Sequence, residues 1–397
     1  MIQPASSANP NTAPAPAAAG LGWLHRWHGW LLAGLWLLVQ AWCWRLYQGP
    51  RFSGDSKQYL EYATRLAETG TFESGHYLRY VGYPLFMSLF LKLRLGWWGI
   101  GLAQVTLSGL AARTLYGTAR RLSGGHWLTA ALAALQFIGW TDVQRANPFL
   151  LTESLFTSLL VFSLWAVARM RTWRGALLAV LLLLATATIR PNGFVAFGAA
   201  GLAGLAWLRA HGQRKWPRAG LLAGLLLPVA WVGLNELLRT FTLIETYEQG
   251  LIIFGYPQSD LHHGGMLHLP DPTAPPLWRL LSFIGQNPRW FAQLAALKLT
   301  YFMGFPKPYY SALHCLMLAA TLPLIYWLAL RGLARRTVAR PARVYAAAVI
   351  LLQAIVVMMT VEDWDIRFSA PILSHWFLLA ALGAQPWLRR LEHRFQL

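Results

Sequence analysis

Charge is what this sequence lacks. Asp, Glu, Lys and Arg make up 12% of its 397 residues, while 56% are hydrophobic; a soluble domain carries about a quarter of its residues as charged ones. The shortage excludes a soluble domain of useful size. Acids are scarcer still, 15 against 34 Lys and Arg, for a net charge of +19. Such a surplus could suggest nucleic acid, but in a multi-pass chain it is first a topology signal, and nucleic acid is not expected as a partner. Cysteine is nearly absent: Cys43 and Cys315 sit within or beside apolar runs, where packing is their expected role. Internal repeats of the transporter kind are missing. So is a cleavable signal, because the run after His25, Arg26 and His28 is too long and Trp-rich. The opening MIQPASSANPNTAPAPAAAG cannot bury a core. Residues 1 to 25 are therefore expected to be a disordered cytoplasmic N-terminus, ahead of one multi-pass domain over 26 to 397.

What is present is a series of apolar runs, each matched to a hydrocarbon core about 30 Å thick. They predict an all-α integral membrane protein of about ten transmembrane helices, near 30 to 46, 97 to 119, 125 to 140, 150 to 168, 175 to 190, 193 to 208, 219 to 238, 312 to 330, 344 to 361 and 369 to 388. Two marginal runs, 80 to 95 and 288 to 304, read as interfacial or re-entrant. Arginine-rich connectors, such as those carrying Arg169, Arg171 and Arg174 or Arg335, Arg336 and Arg340, alternate with connectors that hold every carboxylate except Glu392. This alternation places both termini in the cytoplasm. The opposite face receives external loops of about 47 to 96 and 239 to 311, together with Asp142, Arg145, Arg190, Lys307, Asp365 and Arg367. Chemistry is expected on that face.

In the first external loop, RFSGDSKQYLEYATRLAETG has Tyr59, Leu60, Ala63, Leu66 and Ala67 at helical spacing. It predicts an amphipathic interfacial helix that Gly70 ends. Asp55 stands at its head, where it reads as an N-cap with Gln58 completing a capping box; the same carboxylate can face a reaction site. Glu153 lies just inside an apolar run, where it is costly unless paired or facing a cavity; Arg145 and Arg190 are candidate partners. Asp142 is either a second site acid or a turn residue. The segment SDLHHGGMLHLPDP matches no standard metal spacing and reads as an acceptor-binding loop.

Taken in order, Asp55 heading an amphipathic helix, then Arg79 and Gly82-Tyr83-Pro84, then Thr152-Glu153, then Arg190-Pro191, and finally Glu362, Asp365, Arg367, Phe368 and Pro371 resemble the GT-C class of membrane glycosyltransferases. The resemblance is to bacterial relatives of protein O-mannosyltransferases and of the lipid A aminoarabinose transferase. Asp55-Ser56 stands where many members carry Asp-Glu, which weakens any metal held by paired carboxylates. No cofactor is expected, and a divalent metal has no support from the residues.

The resemblance implies a bacterial inner-membrane enzyme whose active site is extracytoplasmic. It would move a sugar from a polyprenyl-phosphate donor to a hydroxyl of a glycolipid, polysaccharide or protein acceptor, with inversion. Such chemistry needs a base, cations or phenols for the leaving phosphate, and a groove open to lipid. Asp55 is the candidate base. Arg79, Arg190, Arg367 and Lys307 are candidate phosphate ligands with Tyr83 as a donor, since an Arg fork matches phosphate. Lys57, Asp142, Glu153, Asp365 and Tyr309 are possible supporting residues, Lys57 being placed on a solvated helix face. A transporter or flippase for lipid-linked saccharide, or an O-antigen ligase-like transferase, is the competing class. Charges gathered at span ends on one side favour the glycosyltransferase.

The sidedness is open to direct measurement. In a background lacking Cys43 and Cys315, single cysteines near Ser74 and Pro270 are expected to react with an impermeant thiol reagent in intact cells. Cysteines near Gly212 and Ala339 are expected to react only after lysis, and labelling of both sets from outside would overturn the arrangement.

Overall fold

The computed structural model describes residues 22–170, 172–211, 235–236, 238–239, 242–336, 338–363 and 366–395. Among them the chain is nearly all α-helix. Helices α1 (Gly22–Tyr47), α2 (Ser56–Thr69), α3 (Gly82–Lys92), α4 (Gly96–Leu122), α5 (Trp127–Gly139), α6 (Thr141–Gln144), α7 (Thr152–Arg169), α8 (Trp173–Ile189) and α9 (Phe194–His211) form the first half. Then come α10 (Leu243–Glu248), α11 (Pro276–Gln286), α12 (Pro288–Phe302), α13 (Ala312–Ala334), α14 (Arg340–Met359) and α15 (Leu373–Phe395). The one sheet among the described residues is a parallel pair, β1 (Ile253–Phe254) with β2 (Glu362–Asp363), in the register Ile253 to Glu362.

Every predicted span coincides with one of these helices except 219 to 238, most of which lies outside the described residues. Pro191–Arg209, Ala312–Ala334 and Arg340–Met359 are long and apolar enough to cross a membrane, so this is a membrane protein. Trp127–Gly139 and Trp173–Ile189 are shorter apolar helices. Nine of the ten predicted spans thus match a helix by position, while among the described residues three helices qualify by length and apolarity together. Helix α7 shows why: it carries buried Glu153, Ser154, Thr157, Ser158 and Ser163, polar groups placed against neighbouring helices instead of lipid. The two marginal runs become α3 and α12, of 11 and 15 residues. At 1.5 Å per residue they reach about 16 and 22 Å, too short to cross alone.

Packing places α7 at the centre, between α4 and α8. A buried amide network fixes its start. Gln40 donates to Gln144 Oε1 at 2.8 Å, Asn147 donates to Gln40 Oε1 at 3.0 Å, and the Ser154 hydroxyl donates to Asn147 Oδ1 at 2.6 Å. Arg51 then bridges to the strand-like stretch around Phe149, its N–H donating to the Pro148 carbonyl at 2.8 Å and its carbonyl accepting from the Leu150 N–H at 2.9 Å. The residues leading into α2 are thereby tied to those leading into α7. Within α2 the apolar stripe turns inward as Tyr59, Tyr62, Ala63 and Leu66, and Gly70 closes the helix in the left-handed conformation at φ 68°.

Helices α13 and α15 approach until backbone meets backbone. A Cβ on Gly332 would lie 1.9 Å from the Leu379 carbonyl oxygen, and one on Gly383 equally near that of Leu328. Small residues permit such approaches between apolar helices, where packing replaces the hydrophobic effect. Gly383→Ala is therefore expected to cost about 1 to 3 kcal/mol, read as earlier loss of monodispersity on heating in detergent. Gly204→Ala, whose Cβ meets open space, should leave the transition unchanged.

Candidate active site

Asp55 marks the N-terminal boundary of α2 with φ −72° and ψ −5°, and its side chain makes no capping hydrogen bond. The expected capping box does not form. The Ser56 hydroxyl instead accepts from the Ser53 N–H at 2.9 Å and donates to the Ser53 carbonyl at 2.7 Å, while Gln58 reaches the Tyr77 hydroxyl at 3.3 Å. Asp55 has a charged partner: its Oδ2 lies 3.3 Å from Nη2 of Arg367, and a charge-assisted bond is stronger than a neutral one.

Arg367 also donates through Nε to Glu153 Oε1. The same oxygen is 3.1 Å from Nη1 of Arg190. Arg190 is brought there by the chain turn after α8, where Pro191 opens a 3₁₀ turn. Its Nη1 also donates to the Arg367 carbonyl at 3.3 Å, and its guanidinium lies 5.8 and 5.6 Å from the rings of Phe156 and Phe368. Of the two partners expected for Glu153, Arg190 is the one used. Arg145 turns to Asp142 at 3.3 Å and to the Tyr47 hydroxyl at 2.7 Å.

Two carboxylates and two guanidiniums therefore form one chain: Asp55, Arg367, Glu153, Arg190. Burial works against the Arg367 charge, but Glu153, with Asp363 and Asp55, overcomes it and holds the pKa above its ordinary value. The chain borders a cleft of 360 Å³ whose lining includes Asp55, Tyr59, Tyr80, Arg190, Arg367 and Phe368. A second hollow of 80 Å³, lined by Asp142, Arg145, Glu153 and Arg367, lies against the same pair. The Asp55 side chain is 48% exposed, whereas Glu153 and Arg190 are each at 7%. Asp55 is the open carboxylate of the chain. Burial, and next the Asp55 charge, pushes the Tyr59 phenol up to about 12, so it stays a hydrogen-bond donor.

Of the other predicted site residues, none of those described lines the 360 Å³ cleft. Arg79 belongs to the 3₁₀ segment Gly75–Tyr80 and is not among the residues lining either hollow. Tyr83 is fully buried and gives its hydroxyl to Gln104 at 2.7 Å, its ring edge against Tyr59 at 5.3 Å. Lys57 is on the solvated face, 4.0 Å from Glu61. Tyr309 packs its ring against Tyr256 and Tyr310. Asp365 lies outside the described residues. Lys307 is buried, 3.2 Å from Glu362, and donates to the Asp363 carbonyl. Burial, opposed by Lys307, pushes the Glu362 carboxyl up to about 7. Asp142 is buried near His314 at 3.9 Å as well as Arg145.

Sequence reasoning missed Tyr59 and Thr246 in the cleft and Lys298 behind it, and it placed Asp363 on the right face without giving it a role. Lys298 donates to the Thr360 carbonyl at 2.6 Å, lies 3.8 Å from the Tyr247 ring centre, and is pushed by burial down to about 7. The available signal was one lysine in the apolar run AALKLTYF. Among the described residues no three His, Cys, Asp or Glu side chains could share a metal ion. The His268 backbone is instead held by Asn287, at 3.0 and 2.9 Å.

No family model matches the sequence, and no curated protein matches it. The fold is similar to that of ArnT from Cupriavidus metallidurans, a lipid A aminoarabinose transferase of the GT-C class. Its apo crystal structure aligns with a TM-score of 0.50 and 14% identity over 93% of this chain and 62% of that one. The structure of ArnT bound to undecaprenyl phosphate aligns with a TM-score of 0.48 and 16% identity, over 95% and 63%. The chain thus spans less than two thirds of the length of ArnT. The likeness of fold agrees with the GT-C resemblance drawn from the motif order.

Lys307 offers a test of whether its ammonium serves the fold or a ligand. Lys307→Met leaves Glu362 buried without its cation and is expected to cost about 3 to 5 kcal/mol. Lys307→Met with Glu362→Leu should restore thermal stability, measured as monodispersity on heating in detergent. A double variant no more stable than Lys307→Met would show that the Lys307–Glu362 pair is not what the fold requires of Lys307.

Proposed function

We propose that this protein is a glycosyltransferase that moves a sugar from a polyprenyl-phosphate donor to an acceptor hydroxyl on the extracytoplasmic face of a bacterial inner membrane. The observation that carries the reading is the half-exposed Asp55 carboxylate held by Arg367 in a cleft that Arg190 also lines. The ArnT-like fold supports it. A base next to fixed cations suits a reaction that removes a proton from one oxygen while negative charge grows on another.

In the proposed reaction, the acceptor O–H gives its proton to Asp55 as its oxygen bonds to the anomeric carbon. The bond from that carbon to the phosphate oxygen breaks from the opposite side, which inverts the configuration. Polyprenyl phosphate leaves with the electron pair. Arg367 and Arg190 meet the phosphate, and Tyr59 adds a neutral donor. Glu153 is a positioning residue: it aims both guanidiniums and keeps their charge balanced before the donor arrives. When phosphate takes the Arg367 Nη2 group, Asp55 loses its ionic partner and is free to accept the proton. A glycolipid, polysaccharide or protein can supply the hydroxyl, and the reading calls for no cofactor.

Asp55→Asn tests this directly. The Asp55–Arg367 pair is half-exposed, and such pairs contribute about 0 to 1 kcal/mol, so folding and insertion should be nearly unchanged. Asn cannot take a proton, and transfer from a labelled polyprenyl-phosphate sugar should fall roughly 100-fold or more. Wild-type turnover in monodisperse Asp55→Asn protein would remove Asp55 as the base.

A further inference from the structure

Away from the cleft, α1, α4 and α5 leave a groove of 560 Å³ between them. Its walls are apolar, with Leu32, Ala33, Trp36, Leu110 and Ile138. Arg113, Tyr116 and Arg120 of α4, with His28 of α1, line its other part. Arg113, Tyr116 and Arg120 fall at helical spacings of three and four, so they form one stripe. Toward the Thr106 end, Trp36 packs on Gly109 so closely that a Cβ there would lie 2.8 Å from the ring. From Thr106 to Arg120, α4 rises about 21 Å. That is about half of a 40 to 45 Å bilayer with its headgroups: the groove is one leaflet deep.

Its charge is uncompensated. Arg113 and Arg120 are exposed, and among the described residues neither is within ion-pair distance of a carboxylate. Arg120 bonds to the Tyr116 hydroxyl, which is 2.7 Å from His28 Nε2. The nearby acid, Glu392, is already engaged by His126 at 3.1 Å and by the Trp127 indole at 2.8 Å. Arg113 lies about one and a half to two helical turns from Arg120, at acyl-chain depth, where an exposed guanidinium needs an anion.

We propose that this groove binds one anionic phospholipid from the arginine-rich side of the membrane. An acyl chain runs along Leu32, Trp36 and Leu110, and the phosphate sits between Arg113 and Arg120. Basic pockets between helices recognise lipid headgroups in this way. A zwitterionic headgroup brings its own cation and leaves the arginines less well matched. A long polyprenyl chain exceeds the single-leaflet length that the Trp36–Gly109 contact allows. The site is distinct from the Asp55 cleft.

Native mass spectrometry of the purified full chain tests the assignment, with phosphatidylglycerol, phosphatidylcholine and undecaprenyl phosphate added in separate arms. Phosphatidylglycerol adducts are expected to survive collisional activation at least about fivefold better than phosphatidylcholine adducts. Arg113→Ala/Arg120→Ala, which removes charge, and Ala33→Trp, which fills the groove, should each abolish that preference. Arg113→Lys should retain part of it. Equal retention of the two phospholipids by the wild type would overturn the site, as would a preference unchanged in both variants. Undecaprenyl phosphate adducts retained better than phosphatidylglycerol adducts by the wild type, with that excess lost in Ala33→Trp, would overturn the choice of lipid.

Discussion

A carboxylate inside an apolar bundle is tolerated when cations meet it, and Glu153 is met by two that come from distant parts of the chain: Arg190 after α8, and Arg367 before α15. Leaving such a group uncompensated costs several kcal/mol, so the start of α7, the end of α8 and the turn at 366 to 370 are constrained to one arrangement. The Arg51–Phe149 backbone bridge then brings the entrance of α2 to the same place. Asp55 is the last member of this chain and its exposed end. The geometry proposed for transfer is therefore set chiefly by structural ion pairing in the interior.

Much of this was legible because acids are so few. In a chain this apolar, each carboxylate at a span end needs a reason, and depth alone called for a cation beside Glu153, with Arg145 and Arg190 as the candidates between which the structure selects Arg190. The helices followed from apolar runs, and the end of α2 from Gly70. Partners far apart in sequence were not legible. Asp55 and Arg367 are separated by 312 positions, and local rules could only offer Asp55 its own helix as partner. The capping box failed for that reason. Lys307 was similarly read by its charge, while its burial beside Glu362 depends on the β1–β2 pairing that no periodicity in two-residue strands could announce. Arg79 followed the motif order, but sequence order says nothing of which way a 3₁₀ segment turns.

The ion-pair chain carries no net charge when its four members are ionised. Binding a phosphate near Arg367 and Arg190 therefore requires a change of partners, and Glu153, being the more buried acid, is the harder one to displace. Asp55 is the easier to release. An arrangement of this kind avoids leaving two bare guanidiniums in the cleft, where bulk anions would otherwise compete for them.

The Gln40–Gln144–Asn147 network also bears on how the chain enters the membrane. Gln40 belongs to α1, and Gln144 emerges 104 residues later. At about 5 to 20 residues per second this is a wait of about 5 to 20 s, during which the amide has neither of these partners. Hydrocarbon offers it none. Biogenesis thus favours an α1 held beside the insertion machinery, or near water, until the segment before α7 arrives, making release of α1 a late event in assembly.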